Sequence, residues 1–171
     1  AIDRRAICDK IVKKGERPNW GLVPHGMPGY ARAEMEHAGF AQDCERAREL
    51  LAEAGFPGGA GLQPIEILYN TSEAHRDIAE VVADTWRREL GIETKLANQE
   101  WKVYLESQVG LDYDVSRSSW IADYADPNNF LSVFLGDGEN NRTGWSSETF
   151  DGLVRRASHE ADAEVRAALL H

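Results

Sequence analysis

Between residues 65 and 121 the chain alternates between the two periods that secondary structure allows, and this restricts its fold more than any other feature. Ile65, Ile67 and Tyr69 recur at every second position, the spacing of one face of a strand. Ser72 then opens a long helical pattern with Ile78, Val81, Val82, Trp86 and Leu90 on one face, and Gly91 ends it. Ile92, Thr94 and Leu96 return to the strand period, Trp101, Tyr104 and Leu105 mark a short helix over 101–108, and 113–121 reads as a third strand. Strand, helix, strand, helix, strand in this order points to βαβ units with right-handed crossovers, and so to an α/β lobe.

The flanks are helical. Asp3 is placed to cap a first helix running to about Lys14, with Ile7, Ile11 and Val12 on one face and Gly15 as its stop. Residues 15–30 hold Pro18, Pro24 and Pro28 with Gly15, Gly21, Gly26 and Gly29, and read as irregular chain. Asp43 caps a helix carrying Ala47, Leu50, Leu51 and Ala54, which Gly55 and Pro57 close, and Gly58-Gly59-Ala60-Gly61 reads as a turn or flexible loop. Beyond the third strand, helical spacing recurs at Phe130, Leu131, Phe134 and Leu135, at Phe150, Leu153, Val154 and Ala157, and at Val165 and Leu169. No internal repeat and no linker long enough to divide the chain is visible, so residues 1–171 read as a single lobe. The chain enters at Ala1 without an initiator Met and stops at His171, both inside helical patterns, and so reads as a piece truncated at both ends. Localisation is therefore not legible from targeting signals.

Composition narrows the function. The 19 Lys and Arg against 29 Asp and Glu give a net charge of −10. A nucleic-acid binder or a polybasic membrane-surface binder needs clustered cations, so neither partner is expected. Apolar runs reach three to four residues, far below a membrane span, so no membrane insertion is expected either. Cys8 and Cys44 have no metal-ligand spacing, which leaves a disulfide or two buried thiols open. His25, His37, His75, His159 and His171 likewise show no metal-ligand pattern, and His75 and His159 are expected on solvated helix faces. No metal and no cofactor is expected.

The third strand is unusual, because Tyr113-Asp114-Val115-Ser116-Arg117-Ser118-Ser119-Trp120 carries polar side chains on both faces. It leads into the turn Ala122-Asp123-Tyr124-Ala125-Asp126-Pro127, and ligands of open α/β sheets gather where such strands end. The alternative reading makes Arg117 and Asp123 solvated edge charges and Trp120 a core residue. Asp123 and Asp126 also suggest a glycosidase carboxylate pair, but their spacing in a turn is generic. Asp137, Glu139, Asn141 and Glu148 follow calcium-loop spacing, yet Arg142 stands where the sharp turn needs glycine. No serine-nucleophile elbow and no phosphate loop is present.

Several of these segments together resemble one family, the extracellular solute-binding proteins (family 5) that serve ABC importers of oligopeptides and dipeptides. The resemblance is carried by Ala1-Ile2-Asp3-Arg4 with Ile7 and Val12, by the segment around Pro24, and by Ala47-Arg48-Glu49-Leu50-Leu51-Ala52-Glu53-Ala54-Gly55-Phe56. It continues through Leu90-Gly91-Ile92-Glu93-Thr94, Tyr113-Asp114-Val115 and Trp120-Ile121-Ala122-Asp123-Tyr124-Ala125-Asp126-Pro127, then Asn141 to Trp145 and Phe150-Asp151-Leu153. It implies the second lobe of a bilobal binding protein with a periplasmic-binding-protein-like, type II fold, closing on an extended peptide. The protein would be no enzyme, monomeric at full length, periplasmic or membrane-tethered outside the cytoplasm, and would deliver its solute to ABC transporter permease subunits. By position, Asp123 would pair with the ligand's free α-amino group. Ser119, Trp120 and Ile121 would hydrogen-bond the peptide main chain, and Arg117 would meet the ligand's C-terminal carboxylate. A non-peptide solute (a metal chelate, haem, opine or sugar) is the alternative within the family, and a carboxylate-pair hydrolase the alternative outside it.

Overall fold

The computed structural model describes residues 1–30 and 42–171, which fall into two compact units, one of residues 1–18 and 42–118 and one of residues 19–30 and 119–171. Of the sequence expectations, the histidine reading at position 37 lies outside the described residues.

The first unit is built on a parallel sheet. Strand β1 (Ile65–Asn70) pairs with β2 (Thr94–Gln99) in the register Ile65 to Thr94 through Asn70 to Gln99. On its other side Ile67 and Leu68 face β3 (Val115–Ser116), so the strand order is β2-β1-β3. Helix α3 (Glu73–Leu90) makes the crossover between β1 and β2, and α4 (Trp101–Gly110) that between β2 and β3. A central strand covered on both faces need not alternate, and here Ile67, Leu68 and Tyr69 are buried in succession. Ile67 and Tyr69 pack with Ala79, Val82, Ala83 and Trp86 of α3. Leu68, outside the period-2 set, is wholly buried.

The third strand is much shorter than its expected 113–121 span. Pairing stops at Ser116, and one further ladder bond, from the Arg117 N–H to the Leu68 carbonyl at 2.8 Å, ends the sheet. The chain then passes into the second unit and has no strand to follow.

Local caps match the sequence. Asp3 Oδ1 accepts from the Ala6 N–H and Asp43 Oδ1 from the Arg46 N–H, both at 2.8 Å, which starts α1 (Arg4–Ala6) and α2 (Cys44–Glu53). The first helix departs from expectation beyond Ala6. It widens into a π-helix over Ile7–Val12 and stops at Lys13, whose N–H reaches the Cys8 carbonyl and whose φ is +54°, before Gly15 is reached. Cys8 and Cys44 are free thiols, each partly buried. The glycine-rich segment is not loose: Gly59 (φ +77°) lies against Gly91 (φ +68°) at the end of α3. A Cβ on Gly59 would overlap the Gly91 carbonyl, and one on Gly91 the Gly58 carbonyl.

The second unit is helical. It contains α5 (Asn128–Leu131) running into a 3-10 turn (Ser132–Phe134), then α6 (Glu148–His159) and α7 (Ala163–Leu170). Leu131, Val154, Ala157 and Leu170 form its core together with Val23 and Tyr30, which the irregular proline- and glycine-rich segment supplies. Asn141 staples the 134–145 turn. Its Nδ2 donates to the carbonyls of Phe134, Leu135 and Trp145, and its Oδ1 accepts from the N–H and hydroxyl of Thr143. No helix among the described residues is long and apolar enough to cross a membrane.

Candidate functional site

In the first unit, the carboxyl ends of β1 and β3 gather polar groups, as parallel sheets do at their ligand-binding edge. Arg117 follows β3 directly. Its carbonyl accepts from the hydroxyl of Tyr104 at 2.7 Å, and Gln108 Nε2 donates to Ser116 Oγ at 2.9 Å. Tyr104 and Gln108 are 2% and 4% exposed and one helical turn apart on α4, so this helix fixes the strand end from its buried face. Burial lowers the Arg117 pKa from its ordinary value, an effect that Tyr104 partly offsets. Such a cation, drawn partly out of water, favours a nearby anion more than a solvated one does.

Beside it stands a residue the sequence misplaced. His75 is partly buried at the start of α3, with Nδ1 2.7 Å from Asn70 Oδ1 at the end of β1. The amide oxygen can only accept, so Nδ1 carries the proton. Burial, then the charge of Arg117, lowers the His75 pKa, against a smaller opposing contribution from Asn70. His159, by contrast, is on an exposed face as expected.

Ser119, Trp120, Ile121 and Asp123 belong to the second unit and lie in irregular, exposed chain. Trp120 is 40% exposed and Ile121 88%, so Trp120 is not the enclosed core residue of the alternative reading. The Trp120 indole N–H donates to Asn129 Oδ1 at 2.8 Å, and Asn129 is buried. Among the described residues, the backbone N–H and C=O groups of Trp120, Ile121 and Asp123 have no hydrogen-bond partner, and neither has the Asp123 carboxylate.

Asp126 is differently placed. Its Oδ1 accepts from Arg166 Nη2 and from the Asn128 N–H, both at 2.8 Å. Burial works to raise its pKa, but the Arg166 and Asn128 hydrogen bonds and the Arg166 charge outweigh that and hold it below the usual carboxylate value. A carboxylate held ionised in this way has no proton to give as a general acid at neutral pH, which removes half of the suggested glycosidase pair. The calcium-loop residues are also dispersed: Asp137 binds Arg155 at 2.6 Å, and Asn141 turns its amide donor onto carbonyls. Among the described residues, no group of three or more His, Cys, Asp or Glu is arranged to hold a metal.

Comparison with known proteins gives these placements a frame. The profile of the bacterial extracellular solute-binding proteins, family 5 (middle region), matches residues 1–142. The periplasmic oligopeptide-binding protein OppA of Salmonella typhimurium is 37% identical over 171 residues, covering 99% of this chain and 31% of its own length. A periplasmic oligopeptide-binding protein of an oligopeptide ABC transporter from Borrelia burgdorferi superposes with a TM-score of 0.89 at 33% identity, over 99% of this chain and 33% of that one. The structure of Haemophilus influenzae OppA in complex with RPPGFSPFR gives a TM-score of 0.88 at 33% identity, over 98% and 34%. The chain thus spans about a third of the length of the relatives it matches. Its α/β architecture with a parallel sheet is that of type II periplasmic binding proteins, and these relatives are substrate-binding proteins rather than enzymes.

Proposed function

Because this chain belongs to the bacterial extracellular solute-binding proteins, family 5, we propose that the whole protein is the peptide-binding component of an ABC importer. This chain supplies one wall of its ligand cleft. In that role the protein is a monomer without enzymatic activity, works outside the cytoplasmic membrane, and hands its peptide to permease subunits.

One observation carries the reading: the stretch from Trp120 to Asp123 leaves its backbone groups unpaired and holds one exposed, unpartnered carboxylate. An extended peptide offers N–H and C=O groups whatever its sequence, so strand-like pairing with Ser119, Trp120 and Ile121 binds without choosing side chains. A carboxylate at one end adds selection for a terminus, since Asp123 matches the charge of a peptide's free α-amino group. Arg117, drawn partly out of water, takes the role of receiving the ligand's terminal carboxylate.

The test is calorimetry on the full-length protein with a peptide and its N-acetylated form, for wild type and Asp123→Asn. Losing one partner of a desolvated charge pair costs about 2–5 kcal/mol. Wild type should therefore bind the free peptide at least tenfold more tightly than the acetylated one, and Asp123→Asn should bind both alike. Equal binding by wild type overturns the role of Asp123. Mass spectrometry of the co-purified ligand separates a peptide from a metal chelate, haem, opine or sugar.

A further inference from the structure

Asp123 sits between two fastened points, Trp120 before it and Asp126 after it. On one side the Trp120 indole is tied to Asn129, which is 5% exposed and is therefore itself immobilised by packing. On the other side Asp126 is held by three contacts. Its N–H donates to the Tyr124 carbonyl at 3.0 Å, its carboxylate caps the Asn128 N–H, and the same oxygen receives Arg166 Nη2. Pro127, next in sequence, is fully buried. Arg166 is in turn fixed at its other nitrogen, since Nε donates to the carbonyl of Ala157, a residue with no exposure at all. The guanidinium thus bridges α7, the last turn of α6 and the turn after Asp123 with directional bonds, which a lysine ammonium cannot reproduce in full. Both side chains of the pair are about three-quarters withdrawn from solvent, at 26% and 29% exposure, so the pair is not an ordinary mobile surface bridge.

From this arrangement we infer that Arg166 is a positioning residue for ligand binding: through Asp126 it sets where the Asp123 carboxylate stands, with Asn129 setting the other end of the same turn. The inference rests on the reading of Asp123 as the group that meets the ligand's amine. Selection by a charged terminus depends on direction and distance, so a turn that wanders by an ångström weakens the discrimination more than it weakens main-chain pairing. Arg166 is thereby expected to govern selectivity for a terminus without touching the ligand.

The experiment uses the full-length protein and three variants, Arg166→Met, Arg166→Lys and Asp126→Asn, each checked for folding by its thermal midpoint. Two readouts are taken. The first is amide hydrogen exchange at positions 126 and 128, whose N–H groups are bonded to the Tyr124 carbonyl and the Asp126 carboxylate, well below the midpoint, which does not depend on any ligand. In Arg166→Met and Asp126→Asn it should accelerate by about tenfold relative to wild type, while the amides of β1 stay unchanged. The second is the ratio of affinities for a free and an N-acetylated peptide, which a purely structural role would leave constant as both affinities fell together. In Arg166→Met and Asp126→Asn the ratio should drop by about tenfold, and Arg166→Lys, which keeps the charge but not the Ala157 bond, should recover part of it. Should Arg166→Met not fold, the Lys and Asn variants carry both readouts. Unchanged exchange at positions 126 and 128, or a constant ratio in a protein whose wild type discriminates, overturns the inference. If wild type itself shows no preference for the free amine, the reading of Asp123 fails; faster exchange would then still support Arg166 as the residue that holds this turn, and unchanged exchange would overturn that as well.

Discussion

The Tyr104 hydroxyl donates to the carbonyl of Arg117 at 2.7 Å, so a buried side chain of α4 determines where β3 ends. Tyr104→Phe keeps the ring and removes the hydroxyl that donates to the Arg117 carbonyl. The expected loss is about 1–2 kcal/mol, read as a lower urea midpoint with an unchanged slope. A midpoint equal to that of wild type would mean that water replaces the hydroxyl at no cost.

Gly91→Ala should be more damaging than its size suggests. Position 91 has φ +68°, and a Cβ there meets the Gly58 carbonyl, so conformational strain and backbone overlap add. A destabilisation of at least about 2 kcal/mol is expected. Gly61→Ala, at φ +80° with open space around it, isolates the strain alone and should cost about 1 kcal/mol. Equal effects in the two variants would show that the turn yields instead of clashing.

His75 makes stability depend on pH near neutrality. Its folded pKa lies below the ordinary value of 6.5, so the unfolded chain binds the proton more readily. The contribution of the neutral ring is fully present above 6.5. It is lost as pH falls from there towards the folded value, and levels off below it. Urea midpoints of wild type and His75→Gln should therefore converge as the solution is acidified through this window; parallel curves would mean that the ring is solvated in the folded state.

Asp126 acts at lower pH and through the charged form. Its folded pKa is below the ordinary 3.8, so its stabilising contribution is complete above that value. The contribution disappears as pH falls through the lower folded pKa. The stability gap between wild type and Asp126→Asn should be constant from about pH 7 to pH 5 and close below about pH 4. A gap that persists to about pH 2 would assign the effect to packing, not to the Arg166 ion pair.

What could be read in the sequence follows from how local each signal is. The caps at Asp3 and Asp43 and the stop at Gly91 were legible because the bonding partners lie within a turn. The alternation of strand and helix gave the parallel α/β architecture for the same reason. Leu68 falls outside the period-2 reading because burial on a second face depends on later parts of the chain, α4 among them, packing against β1, which no local spacing records. β3 is shorter than its sequence pattern because the mixed polar and apolar residues continue past Ser116, where pairing with β1 ceases after the Arg117 N–H bond. The run from Ser119 to Asp123 was legible as the end of a strand expected over 113–121, polar on both faces, and the start of the turn after it. Its support was not, since Arg166 lies 40 positions from Asp126; nor was the hold on the end of β3, since Tyr104 and Gln108 have the spacing of ordinary helix positions. The state of His75 is hidden for a related reason, since burial and then the sequence-distant Arg117 lower its pKa while Asn70 opposes the shift.

The staple at Asn141 has a consequence for which residues that position can accept. Three carbonyl oxygens converge on one amide nitrogen, while the amide oxygen serves Thr143. Aspartate has the same outline as asparagine, yet it would set an oxygen lone pair where the nitrogen's hydrogens now point. The substitution that looks most conservative by shape is therefore opposed by like-signed dipoles on three sides. Even the slow hydrolytic ageing of this single amide would act on the turn as a mutation.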